Sequence, residues 1–353
     1  MSRSKLWIPG PTECAPEILE EMARPPIGHR GAEIQELVGA ILPGLRTLLD
    51  AEEVGFMTAS ATTVMEAGLR NLVGRKALVL ACGSFGKRWK SIADACGIEA
   101  DLVSVDLGEA IKPAHVEEHL TDEHDAVCLT WSETSTGVLN PVADISAAVR
   151  AKSSDACVLV DGVSALAAAP GGLRSLDADL LLAGVQKALA LPPGLAVHAL
   201  SERALARAET IPHRGFVTDF LKLRDSLAKN QTPATPSVSH LFALRVQLER
   251  MAAEGPEGRV ARHAEMAARV HGWAADRGLS ILAEEGHRSP AVTSLSRDGL
   301  DPKAVISGVE ERLGVRLGSG YGDRKPTDFR IGHMGEHDLA ELESLLETID
   351  SVS

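Results

Sequence analysis

The stretch LLLAGVQKALALPPGLAV, Leu180 to Val197, carries Lys187 as its single charge in an almost wholly apolar run. A buried ammonium ion is costly unless it is paired or loses its proton. Two readings of such a lysine stand side by side. It is a strand-end lysine that reaches water along its aliphatic stem, or it is an amine of lowered pKa that forms a Schiff base. Upstream, CVLVDGVS ends an apolar run on Asp161, and CLTWSETSTG sets Glu133, Thr134, Ser135 and Thr136 after another. Asp161 either caps a turn or meets the lysine in one crevice, because open α/β sheets bind ligands at the carboxyl ends of their strands. GFMTASATTVMEAGL adds Ser60, Ala61 and Thr62 at a small-residue turn that opens a helix. That turn is an ordinary N-cap, or an anion site built from free N–H groups and the helix dipole. Taken together, lysine, aspartate and a phosphate cradle point to pyridoxal phosphate. The carboxylate keeps the pyridine nitrogen protonated, which makes the ring an electron sink.

The elements that must position these groups follow from hydrophobic period. PEILEEMA, GAEIQELVGAILPGLRTLL, TTVMEAGLRNLV, SFGKRWKSIADACG, PAHVEEHL and DISAAVRAK read as helices. KALVLAC, ADLVSVD, DAVCLTWS, CVLVDGV, ADLLLAGV and GLAVHAL read as strands. Helices alternating with continuous apolar strands imply an α/β fold with a mostly parallel sheet buried on both faces. After NQTPATPSVS the texture changes to long amphipathic helices, short strands (LSILA, AVTSLS) and two closing helices. The expected organisation is a large cofactor-binding domain over 14–240 and a smaller α+β domain over 241–353, with the segment 1–13 packing near the latter.

Composition narrows the function. With 353 residues, 44% of them hydrophobic, the chain can bury a large core and a second one. A net charge of −13 argues against nucleic acid as the main partner. No apolar run is long enough to span a bilayer, and the start lacks the apolar core of a signal peptide. Five scattered cysteines fit reduced thiols in the cytoplasm. They lack metal-ligand spacing, and no metal site is expected.

The motifs ETSTGVLNP, LVDGVSAL, VQKALALPPGLA and FRIGHMGE resemble those of class V aminotransferases of the alanine–glyoxylate and serine–glyoxylate group, within the fold type I pyridoxal-phosphate enzymes. The likeness runs from PGPTECAPEIL to FRIGHMGEHDLAELESLL. It implies a seven-stranded, mostly parallel sheet in the large domain. Lys187 is then the Schiff-base lysine and proton shuttle, and Gln186 helps to hold the cofactor phosphate. Asp161 pairs with the ring nitrogen, Val163 and Phe85 pack on the ring, and Thr134 bonds the ring oxygen or nearby groups. Ser60, Ala61 and Thr62 bind the phosphate, and Thr232 and Thr235 reach it from the neighbouring subunit of a homodimer. Arg330 grips the substrate carboxylate, beside the Pro9 and Gly10 backbone. Two departures from the group's pattern stand out: TASA replaces its Ser-Gly-Ser-Gly turn, and the sole tyrosine is Tyr321. The implied activity moves an amino group from a small amino acid of the alanine or serine type to a 2-oxo acid such as glyoxylate or pyruvate. Two alternatives stay open. His29 and Arg30, in PIGHRGAEI, resemble a pair that reads the substrate phosphate in phosphoserine aminotransferases. A fold type I lyase is the other, although a desulfurase needs a cysteine before its carboxylate-binding arginine and LGSGYGDRKPTDFR has none.

Overall fold

The protein is described by a computed structural model covering residues 4–352; residues 1–3 of the N-terminal segment and residue 353 lie outside it. A seven-stranded sheet runs in the order Glu53–Met57, Ala196–Leu200, Leu180–Gly184, Cys157–Asp161, His124–Thr130, Lys76–Ala81, Glu99–Ser104. Ala196–Leu200 lies antiparallel to both its neighbours, and every other pairing is parallel. Every residue of the four strands Ala196–Leu200, Leu180–Gly184, Cys157–Asp161 and His124–Thr130 is buried. That is why they read as unbroken apolar runs: helices cover both faces. Of the seven strands, only Glu99–Ser104, at one edge, has no buried residue.

The helices match their faces. Ala32–Leu49 buries Ile34, Leu37, Val38, Ile41, Leu42, Leu45 and Leu49, a stripe at three- and four-residue steps. A second sheet of five strands follows the order Lys5–Trp7, Val315–Ser319, Phe329–Gly332, Val292–Ser296, Ser280–Ile281. Its first strand comes from the N-terminus and pairs in parallel with Val315–Ser319. Trp7 is buried in the second core, and its ring stacks 3.9 Å from His337. The chain therefore crosses from the second sheet to the first within a few residues, and those residues pass over the carboxyl ends of the large sheet's strands.

Three features differ from the sequence expectation. Glu53–Met57 is a strand, although its five residues precede the small-residue turn with no pattern of their own. Glu202–Thr210 and Phe220–Leu227 are helices in a stretch with no assigned element. The helix Val238–Glu254, expected to open the second unit, buries Leu241, Phe242, Leu244, Leu248 and Met251 in the first core. It packs on Pro16–Met22 and Ala32–Leu49, so the change of texture near residue 240 marks a longer helix rather than a change of core.

Candidate active site

Strand ends bring the chemistry together. Lys187 stands in the turn after Leu180–Gly184, and Asp161 ends the adjacent strand. Both line a cavity of about 290 Å³ with Gly10, Ser60, Ala61, Thr62, Phe85, Arg88, Thr134, Val163 and Gln186. Lys187 is only 8% exposed, so it does not snorkel to water. Its Nζ donates to the Pro9 carbonyl, and Thr12 Oγ1 donates to the Lys187 carbonyl at 2.9 Å. Gly10 lies at φ +114, and a Cβ there would stand 2.5 Å from Lys187 Nζ. The lysine therefore needs this glycine, both for the backbone angle and for the space. Burial lowers the Lys187 amine to about pKa 8; the Arg330 charge adds to this, Asp161 opposes it, and Arg88 adds a little more.

Asp161 is 3% exposed. Its Oδ1 accepts from the Val163 N–H at 2.9 Å, and no cation pairs with it among the described residues. Burial raises the carboxyl to about pKa 7, against the Val163 N–H; the Glu133 charge adds to the rise, and Arg88 and Lys187 oppose it. A buried carboxyl in that state fits a protonated ring nitrogen as its missing partner. Ser60 precedes the helix Ala61–Leu72 without a side-chain cap bond. The first-turn N–H groups of Ala61 and Thr62 find no acceptor among the described residues, and they line the same cavity, as a phosphate requires. The residues present therefore fit pyridoxal phosphate: an amine, a carboxyl with no cation partner among the described residues and a helix start with free N–H groups share one cavity.

Arg330 enters from the second sheet, on Phe329–Gly332. Its Nε donates to the Ser319 carbonyl and its Nη1 to the Thr134 carbonyl, both at 2.8 Å. No carboxylate pairs with it among the described residues, and burial lowers its pKa. The carbonyls fix the fork and leave its remaining N–H groups for an anion. The Thr134 hydroxyl pairs with Ser164 Oγ at 2.5 Å.

Sequence reasoning left three residues without a role. Glu133 is fully buried, and its carboxylate accepts from the Phe85 N–H (3.0 Å), the Gly86 N–H (2.9 Å) and Ser135 Oγ (2.5 Å). It caps the helix Ser84–Cys96 and so fixes Phe85 and Arg88 against the cavity. A lone glutamate in SETSTG, after a buried strand, was the visible signal. Arg88 lines the cavity itself. Tyr321 lies across the site's edge, 5.6 Å from the Phe85 ring and 5.6 Å from the Arg330 guanidinium.

Four expected residues stand apart from this cavity within one chain. Arg30 is exposed and donates to the Thr232 carbonyl, with Gln231 Oε1 at 3.4 Å; neither it nor His29 lines the Lys187 cavity. Thr232 and Thr235 border a separate cavity of about 200 Å³ beside Thr58, Ala59 and Thr63. Their segment is tied to the cradle's approach by the Ser237 N–H bond to Thr58 Oγ1 at 2.8 Å. Two histidine pairs, His115/His119 and His333/His337, have a four-residue spacing. His333 bonds Thr293 and Pro290, and His337 bonds Leu6. Among the described residues no group of three or more His, Cys, Asp or Glu is placed to hold a metal ion.

The chain is similar to known proteins over nearly its whole length. A protein named soluble hydrogenase, small subunit, of Synechococcus is 33% identical over 98% of this chain and 93% of its own. An uncharacterized aminotransferase of Methanocaldococcus jannaschii is 35% identical over 94% and 87%. A serine–glyoxylate aminotransferase of Methylorubrum extorquens is 31% identical over 98% and 89%. Among solved structures, an aspartate aminotransferase of Thermus thermophilus superposes with TM-score 0.92 at 28% identity, over 99% of this chain and 100% of that one. An alanine–glyoxylate aminotransferase of Nostoc gives 0.91 at 26%, over 100% and 96%. The family model described as Aminotransferase class-V matches residues 27–332, and the chain belongs to that family of pyridoxal-phosphate enzymes.

Proposed function

We propose that this transaminase moves the amino group of a small amino acid, of the alanine or serine type, to a 2-oxo acid such as glyoxylate or pyruvate. The observation that carries the reading is Lys187: a buried amine of lowered pKa, in one cavity with Asp161 and adjacent to Arg330. The names of the Methylorubrum and Nostoc proteins support glyoxylate as acceptor. Pyridoxal phosphate, when bound, supplies an aldehyde for the amino group and a ring that takes up the electron pair of the α carbon. The chain's own residues do the rest. Arg330 holds the α-carboxylate as a planar fork, already oriented by the Ser319 and Thr134 carbonyls. With its pKa near 8, Lys187 takes a proton from the α carbon and returns one, because either charge state is accessible near neutral pH. Asp161 holds a proton at the ring nitrogen, and Phe85 and Val163 wall the ring. The Ser60–Thr62 turn and Gln186 take the phosphate.

We assign the working form as a homodimer in the cytoplasm, in which Thr232 and Thr235 of each chain complete the partner's phosphate site. Five free cysteines support a reducing compartment, and no described helix is long and apolar enough to cross a membrane. The phosphoserine reading ranks second. A phosphoserine aminotransferase of Cytophaga hutchinsonii shares the fold at TM-score 0.91, but Arg30 reaches the Thr232 carbonyl rather than its own chain's Lys187 cavity. Borohydride reduction and peptide mapping test the site: the cofactor is expected on Lys187, and a label on Lys87 or Lys90 overturns it. A panel of alanine, serine, aspartate and phosphoserine against glyoxylate, pyruvate and 2-oxoglutarate tests the substrates. Phosphoserine with 2-oxoglutarate as the best pair would reverse the ranking.

A further inference from the structure

Arg88 follows Phe85 by one helical turn on Ser84–Cys96 and lines the cavity of Lys187 and Asp161. Its guanidinium stands 4.7 Å from the centre of the Phe85 ring. It makes no hydrogen bond or ion pair to any described residue. Other arginines withdrawn from solvent differ: part-buried Arg150 bonds Asp179, part-buried Arg207 bonds Asp125 and buried Arg259 bonds Glu254. Guanidinium donors turned into a cavity without acceptors cost free energy until an anion arrives. The nearby carboxylates do not answer it. Glu133 is taken up by the Phe85 and Gly86 N–H groups and by Ser135, and Asp161 faces the Val163 N–H.

Arg330 is the other cation at this site, and it too lacks a carboxylate. The two are linked by a row of rings: Arg88 on Phe85, Phe85 5.6 Å from Tyr321, Tyr321 5.6 Å from Arg330. One guanidinium comes from the large sheet's helix layer and the other from the second sheet, and both charges act on the Lys187 amine. In a chain of net charge −13, two unpaired guanidinium groups around one buried amine form a local anion site.

We propose that Arg88 binds the distal carboxylate of a dicarboxylic amino donor, of the aspartate or glutamate class, while Arg330 holds its α-carboxylate. This rests on the transaminase reading of the site and its 2-oxo acid acceptor, and it replaces the alanine or serine type of donor with a dicarboxylic one. Alanine leaves Arg88 unpaired, whereas a second carboxylate meets its fork in a charge-assisted pair. The loss of such a pair is worth about 10- to 150-fold in specificity.

The test compares wild type, Arg88→Gln and Arg88→Lys. The rate at which each amino acid changes the cofactor's absorbance gives kcat/KM for aspartate, glutamate and alanine. The ratio of the dicarboxylic donor to alanine is expected to fall about 10- to 150-fold in Arg88→Gln, with Arg88→Lys between. Calorimetric binding of maleate, which has two carboxylates and no amine, against propionate reads the same site without turnover. Wild type should bind maleate more tightly, and Arg88→Gln should erase the difference. An unchanged ratio, or maleate bound no better than propionate by wild type, overturns the proposal. A fall in cofactor affinity with the ratio intact overturns it too and moves Arg88 to the cofactor. If no amino acid changes the absorbance while maleate still discriminates, the transaminase reading fails and the dicarboxylate site stands.

Discussion

Asp161 and Lys187 sit in one cavity with pKa values moved towards each other, and the direction of each shift dictates how the cofactor-free protein responds to pH. Buried Asp161 keeps its proton to about pH 7, whereas the unfolded chain loses it near pH 4. Between those values the native state binds more protons than the unfolded one, so stability falls as pH rises from about 4 to about 7. Asparagine cannot ionise, so Asp161→Asn removes this dependence. The effect is on the order of a few kcal/mol at full deprotonation. Urea unfolding of cofactor-free wild type and Asp161→Asn at about pH 5 and about pH 7.5 measures it, and parallel pH responses would refute the burial argument. Lys187 acts in a separate window: its amine is depressed to about 8 against 10.5 in the unfolded chain, so stability rises as pH climbs from about 8 to about 10.5. With cofactor bound, a pyridinium charge would stabilise the Asp161 carboxylate. Asp161→Ala should therefore bind cofactor weakly and lose several orders of magnitude in turnover, and near wild-type turnover would remove its ring-nitrogen role.

At the scale of elements, the segment after Lys5–Trp7 decides how the cavity closes. It lies between the Lys187 turn and the second sheet, with the Thr12 N–H donating to the Gln186 carbonyl at 3.1 Å. Gly332, at the end of the strand that carries Arg330, would place a Cβ 2.3 Å from the Ile8 carbonyl oxygen. That contact is with backbone, so the segment must shift. Gly332→Ala is expected to cost about 1–3 kcal/mol and to impair activity through Pro9 and Gly10, beyond what the lost stability explains. Unfolding midpoints, the absorbance of the cofactor held at Lys187 and turnover check this, and a variant with wild-type stability and turnover would show that the segment yields freely. The same close approach explains what could be read in advance. The buried central strands announce themselves as apolar runs ending in Asp161 and Lys187. Glu53–Met57 does not, because it opens on a charge and is interrupted by Gly55. Residue type marked Lys187, Asp161 and Arg330 as chemistry, but pattern could not choose the second cation. His29 and Arg30 form a conspicuous pair, while Arg88 looks like any polar residue of an amphipathic helix until the capping by Glu133 turns it to the cavity.

At the scale of the whole molecule, one chain holds almost all of the site but leaves part of the expected phosphate shell elsewhere. Thr235 is exposed, and Thr232 and Thr235 border a cavity outside the Lys187 site. Phe216 and Val217, on the neighbouring loop, are 66% and 53% exposed, which is unusual for large apolar side chains. Both facts suit a surface that a second copy covers, with the Thr232–Thr235 segment of each chain facing the other's cradle. The dimer claim makes a prediction that sedimentation alone cannot. Lys187→Ala lacks the reactive amine but carries an intact Thr235. Thr235→Glu keeps the amine but places a negative charge where the partner's phosphate would lie. Each variant alone should be nearly inactive. Mixed under conditions that let subunits exchange, hybrids combine Lys187 of one chain with Thr235 of the other in one of their two sites. Activity should therefore reappear, up to roughly a quarter of wild type for random pairing, since about half of the dimers are hybrids with one sound site each. The negative charge at position 235 should also weaken cofactor binding in the Thr235→Glu homodimer. If Thr235→Glu keeps full activity, or if two inactive variants never complement although sedimentation shows mixed dimers, the segment serves its own chain and the shared site is wrong.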